Sequence, residues 1–122
     1  MSKIRPGELD DRRSNEDVVV LDIRPREDYQ RDHIEGSHNA PVYGDLRQGN
    51  TGSLDDYLDQ IPNDSKVVTV CKAGVVAQKA TTHLEEQGYD ATTLSGGYTG
   101  WRHYAENTLL YRVLSTLRRF LP

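Results

Sequence analysis

The stretch Val68–Ala80, VTVCKAGVVAQKA, contains the chain's one cysteine, Cys71, at the junction of two kinds of pattern. Lys66–Cys71 is an apolar, β-branched run of strand length without the alternation of a half-exposed strand. In Val75–Gln87 the apolar residues recur at helical spacing, and Gly88 suits the position just after a helix. The stretch therefore predicts a strand buried on both faces, a short loop that begins at Cys71, and a helix.

The same order of strand and helix recurs along the chain. A second buried strand is predicted at Asp17–Ile23, DVVVLDI, and a third at Ala91–Leu94. This alternation favours an α/β fold with a central, mainly parallel sheet flanked by helices. The remaining predicted elements are a helix at Pro6–Arg13, a helical turn at Arg26–Asp32, a brief strand at His38–Val42, a loop at Asp45–Gly52, a helix from an N-cap at Ser53 to Gln60, and a helix at Tyr98–Ala105.

The C-terminal residues 106–122 predict a further amphipathic helix after a domain at 1–105. Its apolar residues recur every three or four positions: Leu110, Val113, Leu114, Leu117 and Leu121. Three alternatives stay open for this stripe. Packing on its own domain is the simplest, pairing with a partner protein or a second copy of the chain comes next, and association with an anionic membrane surface is less favoured.

Composition limits the function classes. The 122 residues are 35% apolar and 28% charged, with a net charge of −4. Because Asn107–Pro122 contributes +3 to that total through three arginines, the rest of the chain carries −7, which argues against a nucleic-acid partner. One cysteine cannot form an internal disulfide, the N-terminus has no apolar leader pattern, and no apolar run approaches about 18 residues, so we expect a cytoplasmic protein.

The position of Cys71 suggests two different roles. Ligands of open α/β sheets bind beyond the carboxyl ends of the strands, and the start of the following helix is positively polarised, which stabilises a thiolate there. Backbone N–H groups from Lys72 to Val76 are expected to form an anion cradle, with Gly74 permitting the tight curve and Lys72 adding a charge. The candidate anion-binding residues are therefore Lys72, Ala73, Gly74, Val75 and Val76. The alternative is that Cys71 is a small buried hydrophobic residue.

Three segments together resemble a known family. Val20–Pro41, VLDIRPREDYQRDHIEGSHNAP, contains Asp-x-Arg, His-Ile-x-Gly and Asn-x-Pro; Cys71–Val76, CKAGVV, lies at the loop; and Leu94–Trp101, LSGGYTGW, contains Gly-Gly-x-x-x-Trp. From Ile4 to Trp101 the chain resembles a single-domain rhodanese, a sulfurtransferase. The resemblance implies a three-layer fold and a persulfide on Cys71, which takes sulfane sulfur from thiosulfate, a polysulfide or a protein persulfide and passes it to a thiophilic acceptor without a cofactor.

The loop departs from the pattern of this family at two positions. The family often reads Cys-x-x-Gly-x-Arg-Ser, whereas this chain has Val76 and Ala77 in place of the last two residues. The chain therefore lacks a bidentate cation for a dianionic donor, and Lys72 remains as a point charge. We expect weak use of thiosulfate or preference for another donor. The alternative is a catalytically weak sulfur carrier, protein-interaction module or scaffold.

A cysteine phosphatase or an arsenate reductase is disfavoured by the same loop. That chemistry needs Cys-x5-Arg, and position 77 is alanine. A bound dianion would lose its guanidinium partner, which is its strongest available contact.

Several other residues have an expected structural role. Asp22 and Arg24 lie at the carboxyl end of the strand predicted at Asp17–Ile23 and are expected near the rim of the site, where an ion pair that holds the loops is favoured over a direct role. His33 is expected to pack and hydrogen-bond in a turn. The four histidines and one cysteine lack the spacing of zinc ligands, so no metal site is predicted.

The closing motif is expected to shape a turn. Gly96 and Gly97 should adopt positive φ angles, and Trp101 should anchor the core.

Overall fold

The fold centres on one parallel sheet. The structure, a computed structural model, describes residues 2–15 and 17–120. The five strands described there are β1 (Lys3–Ile4), β2 (Val18–Asp22), β3 (His38–Asn39), β4 (Lys66–Val70) and β5 (Asp90–Leu94). They lie in the order β1-β5-β4-β2-β3, and every pairing is parallel. The predicted α/β fold with a parallel sheet is confirmed, and the short edge strand β1 is an addition.

Helices cover both faces of this sheet. They are α1 (Pro6–Asn15), α2 (Arg26–Arg31), α3 (Tyr43–Arg47), α4 (Gly52–Asp55), α5 (Ala77–Glu86) and α6 (Gly97–Arg118), with a 3₁₀ turn at Leu58–Gln60. On one face, Val67 packs in a cluster with residues of α3, α4 and α5; on the other, Val68 packs with residues of α1 and α6. Both valines are fully buried, which explains why β4 is apolar without alternation.

Two predictions for residues 45–60 are wrong. Asp45–Gly52 is not all loop, because α3 occupies Tyr43–Arg47 and places Leu46 in the core. Ser53 is not an N-cap: α4 begins at Gly52, after Asn50 Oδ1 accepts the Gly52 N–H, and the Ser53 hydroxyl has no hydrogen-bond partner. Each of the two short helices, α3 and α4, is held by one buried leucine. The polar residues around that leucine gave no sign of a helix in the sequence.

The two predicted C-terminal helices are one helix. α6 runs for 22 residues without interruption, so the expected boundary after residue 105 falls inside it. No glycine or proline lies between Trp101 and Arg118 to end the helix there. Leu110 is 56% exposed and Leu114 is 50% exposed, so of the three alternatives left open for this stripe, packing on its own domain is not the one that the structure has.

The remaining stripe residue, Leu121, lies outside the described residues. Among the helices that the structure describes, none combines the length and the apolar character needed to cross a bilayer.

Candidate active site

The strand ends bring the candidate residues to one edge of the sheet. Because β2 and β4 are parallel and Asp22 is paired with Val70, the residues that follow these two strands lie side by side. Cys71 directly follows β4, and Ile23 donates a backbone hydrogen bond to the Val70 carbonyl at 2.8 Å. The next strand on the other side, β5, ends at Leu94 and leads into the turn that begins α6.

The sulfur of Cys71 accepts two backbone hydrogen bonds. The Gly74 N–H donates to Sγ at 3.1 Å, and the Ala77 N–H donates at 3.4 Å. Ala77 is the first residue of α5, so Sγ lies at the positively polarised end of that helix. Amide donors and the helix dipole both favour a negative charge on this atom. Cys71 is only 2% exposed and also contacts the core. The residue is therefore buried, as one of its two expected roles requires, while its sulfur accepts backbone amides, as the other requires.

The loop matches the expected cradle in part. Gly74 has a φ of 83° and supplies one of the two amides, while Ala77, one residue beyond the predicted range, supplies the other. Lys72 and Ala73 are exposed, and Val75 is 67% exposed, so this side of the loop faces solvent. Val76 is half-buried and packs against the core. Sequence reasoning missed Ala77 because the curve of the loop decides which amide reaches the sulfur.

The turn at Gly96 and Gly97, which follows β5, is hydrogen-bonded to the backbone of the cysteine loop. The Tyr98 N–H donates to the Cys71 carbonyl at 2.7 Å, and the Thr99 N–H donates to the Lys72 carbonyl at 3.1 Å. Gly97 has a φ of 59°, and a Cβ added to it would lie 2.3 Å from the Cys71 carbonyl oxygen. The first amides of α6 are therefore capped by the loop that carries the thiol. The expected positive φ angles of the glycine pair are confirmed.

Asp22 and Arg24 form a buried ion pair beside this loop. Arg24 Nη2 lies 2.8 Å from Asp22 Oδ2, and the two side chains are 8% and 1% exposed. The Arg24 Nε also donates to Asp22 Oδ1 at 3.0 Å. Asn39, from the Asn-x-Pro motif, donates to the backbone carbonyls of both residues at 2.9 and 3.0 Å. This network ties β2 to β3, which is the structural role favoured from the sequence.

Tyr98 connects the ion pair to α6. The Arg24 guanidinium lies over the Tyr98 ring, 4.2 Å from its centroid. Burial, followed by a hydrogen bond to the Asp32 carboxylate, raises the pKa of Tyr98 from 10.0 to about 12. The phenol therefore stays neutral throughout the range in which a cysteine loop would work.

A cluster of buried threonines lies under the loop and was missed from the sequence. The Thr69 hydroxyl donates to the Ala77 carbonyl at 3.1 Å and lies 2.8 Å from the Thr81 hydroxyl. The Thr81 hydroxyl in turn lies 2.7 Å from that of Thr93. These contacts join β4, β5 and the start of α5, whose first amide reaches the sulfur. A hydroxyl inside the apolar run KVVTVC is the signal that would have found them.

His33 contacts Tyr29 of α2. It is exposed, its Nδ1 is 2.8 Å from the Tyr29 carbonyl, and its ring stacks on Tyr29. Within the described ranges, no group of three or more potential metal ligands comes together.

The fold and site define a class of proteins: parallel α/β domains with a cysteine loop between a central strand and a helix. The family model described as the rhodanese-like domain matches residues 5–104, and the chain belongs to this family.

Curated relatives agree with this membership, and a solved structure agrees with the fold. The thiosulfate sulfurtransferases GlpE of Pseudoalteromonas translucida and Shewanella oneidensis are each 32% identical to the chain. The alignments cover 70% and 69% of this chain and 74% and 75% of those relatives, respectively. The crystal structure of a rhodanese-related protein from Thermoplasma volcanium superposes with a TM-score of 0.69 at 21% identity, covering 85% of this chain and 93% of that one.

Proposed function

We propose that this protein is a sulfurtransferase that carries sulfane sulfur on Cys71 from a donor to a thiophilic acceptor. The observation that carries the proposal is the pair of amides, from Gly74 and Ala77, that donate to Sγ at 3.1 and 3.4 Å. A core cysteine needs no such contacts, whereas a thiolate or persulfide anion is stabilised by them. Two relatives named thiosulfate sulfurtransferase support the same conclusion.

In the first half-reaction, the Cys71 thiolate attacks the outer sulfur of the donor. With thiosulfate, a bond forms between Sγ and the sulfane sulfur, the bond to the sulfonate sulfur breaks, and sulfite leaves with its electron pair. With a polysulfide or a protein persulfide, a shorter polysulfide or a thiolate leaves instead. The Cys71 persulfide is anionic, and the positively polarised start of α5 stabilises it.

In the second half-reaction, an acceptor thiolate or other thiophile attacks the outer sulfur of the persulfide. A bond from the acceptor to that sulfur forms, the bond to Sγ breaks, and the Cys71 thiolate is regenerated. No external oxidant or reductant is needed. The two steps predict double-displacement kinetics.

Mass spectrometry after separate treatment with thiosulfate and polysulfide tests the proposal. We expect a gain of about 32 Da, one sulfur atom, on the peptide that contains Cys71, and its removal by an added thiol. Cys71→Ser should show neither the gain nor any sulfur transfer. Absence of the adduct with every donor would contradict the proposal. An adduct without turnover would instead identify the sulfur-carrier alternative.

We further propose that thiosulfate is a poor donor because of Val76. The side chain of Val76 is apolar and half-buried, so it offers a bound donor no charge. Lys72 is exposed and makes no ion pair within the described residues, so its ammonium group is the cation that the loop offers. A lysine ammonium binds a dianion less tightly than an arginine guanidinium, because the guanidinium donates two parallel hydrogen bonds.

Replacing Val76 by arginine should therefore improve thiosulfate use. We expect Val76→Arg to lower the KM for thiosulfate about tenfold, since a charge-assisted hydrogen bond contributes about 1.5–3 kcal/mol. Val76→Gln is the control, because it adds a polar side chain without charge, and it should leave the KM nearly unchanged. Equal KM values for both variants would show that this position does not limit donor binding.

A further inference from the structure

The two halves of α6 differ in what they contact. The first half packs on the domain: Trp101 is 8% exposed, and the Tyr104 hydroxyl donates to Asp10 of α1 at 2.8 Å. In the second half of α6 and the turn that follows it, large apolar side chains face solvent. The exposed fractions are 64% for Leu109, 56% for Leu110, 47% for Val113, 50% for Leu114, 54% for Leu117 and 80% for Phe120. These six residues are called the outer stripe below.

The outer stripe points away from the domain. At about 100° per residue, the five members that lie in α6 fall within a sector roughly 140° wide on the helix surface, and Phe120 lies in the turn after the helix. Gly97, Trp101 and Tyr104, which face the domain, fall about 180° from the centre of that sector. Because α6 is one continuous helix, it cannot turn the outer stripe inward without exposing Trp101. The stripe therefore needs a partner from outside this domain.

The size of the outer stripe matches half of an ordinary dimer interface. If a fully exposed large side chain offers about 150–200 Å², the exposed fractions leave on the order of 600 Å² of apolar surface. A standard interface buries about 800 Å² per partner, of which about 65% is apolar in homodimers. Patches on monomers are mostly smaller than a few hundred Å².

We propose that the outer stripe pairs with the outer stripe of a second copy of this chain, as two antiparallel helices related by a two-fold axis near Val113. The charges favour this arrangement. Residues 107–122 carry +3 and the rest of the chain carries −7. An antiparallel pair brings the arginine-rich end of each helix to the acidic domain of the other, whereas a parallel pair would bring the two arginine-rich ends together.

The same geometry makes a specific contact. With the axis near residue 112, Glu106 of one copy, which also lies 3.7 Å from Arg102 of its own helix, comes level with Arg118 of the other, and the symmetry repeats the contact. Glu106 also lies in line with the outer stripe, one turn before it begins, at about 100° per residue. An anionic membrane is less suited as the occupant, because the acidic domain would be repelled from it.

Sedimentation of the full chain over about 1–100 µM tests the pairing. We expect a species of twice 13.8 kDa that dissociates on dilution. Leu117→Glu should remain monomeric at every concentration. Tyr111→Glu is the matched control, because Tyr111 is 73% exposed but lies outside the sector of the outer stripe, so this variant should still dimerise. Circular dichroism checks that both variants are folded.

The orientation has its own test. Glu106→Arg should weaken the dimer several-fold, and adding Arg118→Glu to it should restore the affinity, since the swapped charges again face each other. Failure of the second change to restore affinity would overturn the antiparallel arrangement.

Three results would overturn the choice of partner. The first is a wild-type chain that is monomeric throughout, whether or not it binds vesicles containing phosphatidylserine; vesicle binding by such a monomer would assign the stripe to a membrane. The second is a dimer that Leu117→Glu leaves intact. The third is a dimer lost equally in both glutamate variants. None of these results depends on the chemistry of Cys71.

Discussion

At Gly97 the start of α6 lies against the loop that carries Cys71. The backbone of Gly97 is left-handed, with a φ of 59°, and an added Cβ would meet the Cys71 carbonyl oxygen at 2.3 Å. The Cys71 backbone cannot move away freely, because its carbonyl also accepts the Tyr98 N–H. Only glycine leaves room here for the loop that carries Cys71 to lie against the start of α6, and this contact holds the backbone of the thiol residue in place.

Replacing Gly97 by alanine should destabilise the fold and displace the loop. We expect a loss of roughly 3 kcal/mol or more in urea unfolding, together with loss of sulfur transfer, because steric overlap adds to the left-handed penalty. Gly36→Ala is the matched control. Gly36 has a φ of 82° with open space around it, so only about 1–2 kcal/mol should be lost and activity should be kept. Similar losses in the two variants would contradict the close-approach argument.

At the scale of elements, the start of α5 is held by hydroxyl groups rather than by a cap. No side-chain hydrogen bond caps this helix at Val76. Instead, Thr69 of β4 holds the Ala77 carbonyl, and Thr81 of α5 links Thr69 to Thr93 of β5. Thr69, Thr81 and Thr93 are fully buried, so their hydroxyls need partners inside the protein, and the Thr81 hydroxyl is the partner of the Thr93 hydroxyl.

Thr81→Val should break this cluster with little change in volume. Because the Thr93 hydroxyl would lose its partner in the cluster while Thr69 would keep the Ala77 carbonyl, the change should cost about 1–3 kcal/mol of unfolding free energy. Thr82→Val provides the comparison, because Thr82 is exposed on the same helix and bonds only the Gln78 carbonyl, so its loss should be within about 0.5 kcal/mol. Chemical denaturation measures both. The cluster would be unimportant if the two variants unfolded at the same denaturant concentration.

At the scale of the whole molecule, Tyr98 links three parts of the fold. It lies in the first turn of α6, packs against Arg24 after β2, and hydrogen-bonds Asp32 after α2. Its pKa is raised from 10.0 to about 12, so the folded state favours the neutral phenol. The stability that this provides is complete below pH 10, the unfolded value, and is lost as the pH rises from 10 towards 12.

Tyr98→Phe should remove that dependence while keeping the ring over Arg24. We expect the stability difference between the original chain and Tyr98→Phe to be constant up to about pH 10 and to shrink above it. Urea unfolding between about pH 8 and 11.5 measures this difference, and Tyr111→Phe, at an exposed tyrosine, serves as the control. A difference that stayed constant to the upper limit would argue against a raised pKa at Tyr98.

The elements differ in how well the sequence predicted them, and burial explains why. β2, β4 and α5 have apolar patterns long enough to identify, because each is packed along most of its length. α3 and α4 are only five and four residues long, and each depends on one buried leucine, Leu46 or Leu54. Such turns have too little local signal, since their stability comes from contacts with distant residues.

The candidate site divides in the same way. Cys71 and Gly74 were identified because a strand, a loop and a helix follow one another in the chain. The Ala77 amide and the threonine cluster were missed, because they depend on how the loop curves and on which strands are neighbours.

The sequence by itself determined the order of β4, the cysteine loop and α5, because residues adjacent in the chain fix that order and the apolar pattern fixes the burial. The tertiary structure alone decided two further matters. One is the contact between the turn at Gly96 and Gly97 and the backbone of the cysteine loop, and the other is the exposure of the outer stripe on the side of α6 that faces away from the domain. Both follow from long-range packing: the neighbouring strand positions the turn, and the burial of Trp101 sets the rotation of α6.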